Sequence, residues 1–380
     1  MNRYQIVSAL ALLFALCLTC CQSVPFRTIR YNFSDYNDFE KFPVRRLSPS
    51  PSRYQFKDNQ KRLIDTFTVI LNHKRKKLVD ELKSSRTLAF VVLKGDSIVI
   101  EKYFGKQRPS DLVQAFSMTK SFTSLLLGCA VDDGFIESVD QPVTDFVPEL
   151  KPFGFEKILI NDLLNMMSNI DYKENGNPLG AHNKFYYTSE LERAILQLRL
   201  NNTSNKNFVY RSGDIALLGL ILKRALSPQN ITEYMQEKIW TPLGMENAGV
   251  WTVDHEDGGL EKTWCCLAAS ARDYLKIGRL YLSNGKWGGH RLVSENWIEK
   301  STAPLSNPTL QPDTTKDYVY HYNWWAYPKR KVFVAVGKGG QYMYIKPEEQ
   351  IIVLRLGKSE GMNIRTWFSI FEQTINYCNH

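Results

Sequence analysis

The sequence predicts an α/β protein of the α+β kind: one antiparallel β-sheet built from both chain ends and flanked by helices, with an inserted, mainly helical region at about 118–301. Three observations carry this. Near the start, "LAFVVLKGDSIVIEKYFG" holds two β-rich runs about the turn Lys94-Gly95-Asp96, a hairpin signal. Near the end, "HYNWWAYP", "KVFVAVG", "QYMYIKP" and "QIIVLRLG" follow one another as further strands. Between these clusters, apolar residues recur at helical spacing over 118–131, 159–168, 188–199, 213–226, 230–240 and 270–283.

Taken in chain order, residues 1–20 have the layout of a lipoprotein signal peptide: Arg3, an apolar run from Ile6 to Leu18, then cysteines. The run is too short to span a bilayer comfortably, and nothing downstream is apolar enough to do so. Leu18-Thr19-Cys20-Cys21 resembles a bacterial lipobox, which makes Cys21, with Cys20 as second choice, the lipidated first residue of the mature chain. That reading implies export to a bacterial cell envelope and a lipid anchor in a membrane. Residues 21–60 are polar and punctuated by proline, an extended lead-in whose aromatics can lie against the body at 61–380. "RLIDTFTVILNHKRKKLVDELK" has helical periodicity and predicts a helix before the first hairpin. Gly134 and Gly244 end helices, and the amphipathic "NIRTWFSIFEQTI" closes the chain.

Composition narrows the class. With 43% apolar and 12% aromatic residues, the 380-residue chain can build a large core. The net charge of +9 becomes +8 once the leader takes away Arg3, and its basic residues form no long run, which argues for a solvated surface and against nucleic-acid binding. Cys129, Cys265, Cys266 and Cys378 remain after the leader; with Cys265 next to Cys266 and Cys129 in an apolar helix pattern, they do not describe a disulfide framework. No two of the six His stand at ligand spacing, so no metal or cofactor is implied. Nothing in the sequence specifies an oligomeric state.

Serine chemistry has three candidate nucleophiles. Gly357-Lys358-Ser359-Glu360-Gly361 fits a strand-to-helix elbow, yet only Glu372 and His380 follow it as partners. Ser283 and Lys286 fit S-x-x-K on an Asn-Gly turn, where the two need not face each other. Ser117-Met118-Thr119-Lys120 fits S-x-x-K at the head of the apolar helix "FTSLLLGCAV", where a three-residue spacing stacks Ser and Lys on one face. A serine hydroxyl is a weak nucleophile until a neighbouring base takes its proton, and a buried lysine can be that base. A helix N-terminus adds an amide N–H and a positive dipole end beside a developing oxyanion. Downstream, Tyr210 and Ser212 precede another apolar helix, and Lys338, Gly339 and Gly340 sit at a strand. Tyr210 can relay a proton, Lys338 can attract a carboxylate or carbonyl, and the two glycines would let a substrate lie flat; each also has a plainer reading, packing for Tyr210 and a turn for Gly-Lys-Gly-Gly. The missing upstream glycine and following Ser/Thr exclude a phosphate loop at "GKGG".

Taken in order, "SMTKSFTSLLLGCAVDDGFIESVDQPVTDFVPEL", "YRSGDIALLGLIL", "EKIWTPLGM", "LAASARDYLKIGRLYLSNGKW" and "GKGGQYMYI" resemble the serine β-lactamase and penicillin-binding superfamily over roughly residues 88–375. The closer resemblance is to its class C β-lactamase-like serine hydrolases, the branch of esterases and 6-aminohexanoate-dimer hydrolases. It implies a β-lactamase/transpeptidase-like fold, with Ser117 as acyl-forming nucleophile, Lys120 as base or proton shuttle and Tyr210 as partner in proton transfer to the leaving group. It also implies Lys338 in the third motif and an oxyanion hole from the backbone N–H groups of Ser117 and Gln341. Two positions depart from the β-lactamase pattern: Ser212 replaces the Asn of Tyr-x-Asn, and Gly339 replaces the Thr of Lys-Thr-Gly. Both weigh against efficient β-lactam hydrolysis and leave acyl transfer intact. The expectation is a hydrolase of small amide, ester or peptide-like substrates, with a DD-peptidase or true β-lactamase as the chemical alternative and a non-catalytic surface binding lipoprotein as the alternative of another class. Specificity would come from the loops at 171–187 and 306–328.

Overall fold

The computed structural model describes residues 23–379 except 61, 176, 178–179, 203–206 and 304–316. The leader with Cys20 and Cys21, and much of the 306–328 loop, lie outside the described residues. The main sheet has eight strands: β1 (Lys57–Asp58), β2 (Thr87–Lys94), β3 (Ser97–Tyr103), β4 (Val319–His321), β5 (Trp324–Tyr327), β6 (Val332–Gly337), β7 (Gln341–Lys346) and β8 (Ile351–Gly357). Their order is β4-β5-β6-β7-β8-β2-β3-β1. Every pairing is antiparallel except the short β1–β3 contact at the edge. The two chain ends meet in the middle, where β8 pairs with β2 and Val353 faces Val92.

The helices used below are α1 (Val24–Tyr31), α2 (Thr119–Asp132), α3 (Ala181–Tyr187), α4 (Ser212–Leu226), α5 (Ala271–Leu282) and α6 (Ile364–Asn379). Side chains alternate across each strand, so one sheet face carries Phe90, Val92 and Val353 against Trp367, Phe368 and Phe371 of α6. The other carries Val91, Leu93, Ile352 and Leu354 into the larger core with the helical region. Both faces are covered, which is why the strands read as nearly continuous apolar runs. Truncating a fully buried residue such as Phe371 to Ala would cost roughly 3–5 kcal/mol.

Two segments differ from the sequence reading. The helix expected over "RLIDTFTVILNHKRKKLVDELK" is instead a short 3-10 turn (Arg62–Asp65), a hairpin (Thr68–Leu71 with Lys74–Lys77) and a helix of two turns (Leu78–Ser84). The β-branched Thr68, Val69 and Ile70 are stiff and suit a strand, and Asn72 and His73 both take positive φ, the demand of a two-residue hairpin turn. The lead-in is likewise not simply extended. Ser23 caps α1 by accepting from the Phe26 N–H, and Val44–Leu47 pairs with Gly249–Thr252 in a second sheet. That sheet continues through Leu267–Ala269 to Val113–Gln114, the two residues that deliver the chain to Ser117.

Candidate active site

Ser117 sits in a tight turn between Val113–Gln114 and α2. The Ala115 N–H donates to the Leu267 carbonyl at 2.8 Å, Phe116 takes the unusual φ of +47°, and a single 3-10 turn, Phe116–Met118, leads into the helix. A bulky residue in the left-handed region is held there only by surrounding structure, a hallmark of functional turns. α2 is fixed by polar residues that reach its neighbours: Ser121 Oγ donates to the Asn323 carbonyl and Thr123 Oγ1 to the Thr263 carbonyl, each at 2.7 Å. The helix therefore cannot turn without breaking buried bonds, and Lys120 is aimed. Its Nζ donates to Ser117 Oγ at 2.8 Å and to the Trp264 carbonyl at 2.9 Å, with the residue only 1% exposed.

Tyr210 comes to the same place from the segment before α4. Its ring centre lies 5.0 Å from Lys120 Nζ, stacked on Trp325 at 5.6 Å and edge-on to Tyr320 at 5.9 Å. Tyr210 thus both packs among aromatics and lies beside Lys120.

Ser212, expected to grip substrate, is fully buried and engaged elsewhere. Its backbone N–H donates to Glu174 Oε2 and its hydroxyl to Glu174 Oε1, both at 2.8 Å. Glu174 Oε1 also meets His182 Nδ1 at 3.1 Å, and that ring nitrogen lies 3.3 Å from the Tyr172 hydroxyl. Burial alone would raise the Glu174 carboxyl, but the bond from His182, the nearby charge of Lys120 and the Ser212 N–H together hold it down to about 2. Behind this group, burial pushes the Asp214 carboxyl up to about 7 despite the 2.8 Å bond from Ser168 and the charge of Arg211.

The third motif is a hairpin turn between β6 and β7. Gly339 and Gly340 both take φ of +77°, and a Cβ on Gly340 would stand 1.9 Å from Arg355 Nη1. Their small size serves the turn, and at Gly340 it also leaves room for the buried Arg355. Arg355 also explains the G-x-S-x-G pattern: it donates to the Gly340 and Ser359 carbonyls and presses on Gly357, while Gly361 makes room for Ser85. Ser283 closes α5 and Lys286 begins a separate two-residue strand, so neither alternative pattern forms a nucleophile site. Lys338 is exposed, with Nζ donating to Ser34 Oγ at 2.6 Å. The Gln341 amide is committed to the backbone of Gly357 and Lys338. A Cβ on Gly337, which pairs with Gln341, would meet the Ala115 carbonyl at 2.2 Å, so the end of this hairpin lies directly on the Ser117 turn.

Ser117 opens into a cleft of about 670 Å³ whose walls include Glu174, His182, Trp264, Cys265 and Lys338. Its mouth is lined from the N-terminal segment by Ile29 and Phe33, 81% and 87% exposed. A cavity of about 750 Å³ near Tyr36, Lys83, Arg86 and Lys358 is larger but excludes the reactive residues, so the chemistry selects the smaller one. Cys265 and Cys266, whose adjacency argued against pairing, are joined to each other by a disulfide, while Cys129 and Cys378 are free and buried. Among the described residues, no group of three or more His, Cys, Asp or Glu is placed to hold a metal ion. Glu174, His182 and the N-terminal mouth went unread in the sequence. Only the position of Glu174 and His182 in the 171–187 loop pointed to them; the loop's aromatics, Tyr172, Phe185, Tyr186 and Tyr187, are buried.

The beta-lactamase family model matches residues 75–364. A 6-aminohexanoate-dimer hydrolase of Paenarthrobacter ureafaciens is 24% identical over 310 residues, covering 77% of this chain and 78% of that one. Among solved structures, a candidate 6-aminohexanoate-dimer hydrolase from Bacillus anthracis superposes with a TM-score of 0.78 at 20% identity, covering 95% of each chain. A penicillin-binding protein from Bacillus halodurans gives 0.59 at 17% identity over 77% of this chain and 99% of the other. EstCE1, a hydrolase with promiscuous acyltransferase activity, gives 0.61 at 14% identity over 78% and 96%.

Proposed function

The chain belongs to the beta-lactamase family, and from that membership and the site geometry we propose that it is a serine hydrolase that cleaves an amide or ester through an acyl-Ser117 intermediate. The observation that carries this is the 2.8 Å contact between Lys120 Nζ and Ser117 Oγ at the floor of an open cleft. In acylation Ser117 Oγ bonds to the substrate carbonyl carbon as its proton passes to Lys120 Nζ. The carbonyl oxygen takes the negative charge, faced by the backbone N–H groups of Ser117 and Gln341; a donor in such a hole is worth about 10²–10³-fold in rate. Tyr210, beside Lys120, hands a proton to the departing amine or alcohol and takes one back from the Lys120 ammonium, a step of the kind that supplies about 10²–10⁴-fold. Water then releases the acid by the reverse sequence. The apolar mouth at Ile29 and Phe33 suits substrates with a hydrocarbon segment.

β-Lactam turnover is the weaker reading, since the Ser212 hydroxyl is directed at Glu174 and Gly339 brings no hydroxyl to the third motif. The leader further supports a lipid tether at Cys21, which radiolabelled palmitate incorporation in wild type but not Cys21→Ala would test. For the enzyme itself the test is a stopped-flow assay with p-nitrophenyl acetate. A burst of nitrophenolate equal to the protein concentration is expected from wild type and none from Ser117→Ala; equal traces from the two proteins would end the proposal.

A further inference from the structure

Glu174 is a charged group in the wall of the Ser117 cleft that the proposed chemistry leaves unused. It lies in a loop, yet its carboxylate is held by both donors of Ser212 at the start of α4 and by His182 on α3. Three donors from two separate elements leave it little freedom to move. Its side chain is 26% exposed and lines the same cleft as Ser117. Lys120, when it carries a proton, is among the influences that lower the Glu174 carboxyl, after the bond from His182.

Resting on the hydrolase reading above, we propose that Glu174 is the positioning residue of the Ser117–Lys120 pair, a fixed counter-charge for the ammonium that forms when Lys120 takes the Ser117 proton. As the Oγ–H bond breaks and Oγ bonds to the carbonyl carbon, the lysine amine becomes an ammonium and the carbonyl oxygen an oxyanion. Glu174 exchanges no proton in this step. It supplies a pre-placed negative charge in a partly dehydrated wall, where such a charge acts more strongly than in water. Ser212 is then explained. The position that would carry an amide in Tyr-x-Asn carries a short hydroxyl because it must hold a carboxylate, and Ser212 and Glu174 form one unit. The Trp264 carbonyl, which already accepts from Lys120, orients the base, and Glu174 stabilises its charged product state.

The test compares wild type, Glu174→Gln and Glu174→Asp for burst rate, kcat and KM on neutral p-nitrophenyl acetate, with thermal unfolding alongside. Gln is nearly isosteric, and the Ser212 hydroxyl can turn to accept from its amide, so the fold should hold. The expected result is a roughly 10²-fold lower burst rate and kcat for Glu174→Gln, KM within about threefold of wild type, and an unfolding midpoint within a few degrees. Glu174→Asp, which keeps the charge, should recover most of the loss. A Glu174→Gln protein with the wild-type burst rate would overturn the proposal, as would a loss confined to KM or one that the Asp variant does not relieve. Wild type without a burst would instead remove the hydrolase reading beneath it, and that control reports separately.

Discussion

On the helical side of Ser117, Lys120 reaches the nucleophile and Glu174 lines the same cleft, whereas on the sheet side the Lys338-Gly339-Gly340-Gln341 turn commits most of its residues to its own geometry. Lys120 donates straight to Ser117 Oγ, and Tyr210 packs beside it. Across the cleft, two glycines at φ of +77° make the turn, Gly340 leaves room for Arg355, and the Gln341 side-chain amide ties the hairpin to β8. One wall meets Ser117 through a side chain, while the other is held by its own backbone and buried bonds. The same motif set thus mixes residues suited to chemistry with residues suited to shape, and substitutions should separate them.

The largest effects belong to the helical wall. Ser117→Ala removes the nucleophile and should abolish the ester burst while leaving circular dichroism unchanged. Lys120→Met keeps the volume but removes the base and the bond to the Trp264 carbonyl; kcat should fall by about 10³-fold or more, with a far smaller change in KM. Gly340→Ala probes the other wall and should act on stability, since its Cβ would overlap Arg355 in a backbone region that Ala resists. A loss of about 2–3 kcal/mol in urea unfolding is expected; an unchanged midpoint would mean that the hairpin can relax. Lys338→Met should matter least to catalysis, because an exposed charge contributes about 0–1 kcal/mol. It should raise KM less than about tenfold for an ester bearing a carboxylate and leave a neutral ester unaffected.

A smaller effect lies behind the helical wall. Burial raises the folded-state Asp214 carboxyl from its ordinary 3.8 to about 7. Between about pH 4 and 7 the unfolded chain ionises this group while the native state keeps its proton, so unfolding gains as pH rises. Wild type should lose stability relative to Asp214→Asn across that window, with a slope no steeper than about 1.4 kcal/mol per pH unit. Parallel curves for the two proteins would refute that placement of charge.

The sheet was legible in the sequence because its strands are apolar on both faces and bounded by Gly and Pro turns, and α2, α4 and α5 because their apolar residues recur at helical spacing. The segment at 62–83 misled because Leu63, Ile64, Phe67, Ile70 and Leu71 fit a helical stripe as well as a hairpin; the two positive-φ residues Asn72 and His73 decide it, and neither is glycine. The contact between Ser117 and Lys120 was legible because S-x-x-K at a helix start stacks the two on one face, and Tyr210 stood out only by its place before a second apolar helix. Glu174 could not: it meets Ser212 from 38 residues away, a proximity that only the tertiary fold creates. The same holds for α1, whose Asn32 carbonyl accepts from Tyr187 and whose neighbour Ser34 receives Lys338, making a polar lead-in the lip of the cleft.

The central claim is that Ser117, set up by Lys120, is the residue that becomes acylated. Intact mass after treatment with a fluorophosphonate tests it most directly, on the mature domain and on Ser117→Ala. One adduct on the wild-type domain, mapped to the peptide containing Ser117 and absent from the variant, is the predicted result. An adduct that persists in Ser117→Ala, or a folded wild-type domain that takes up none, would contradict the account.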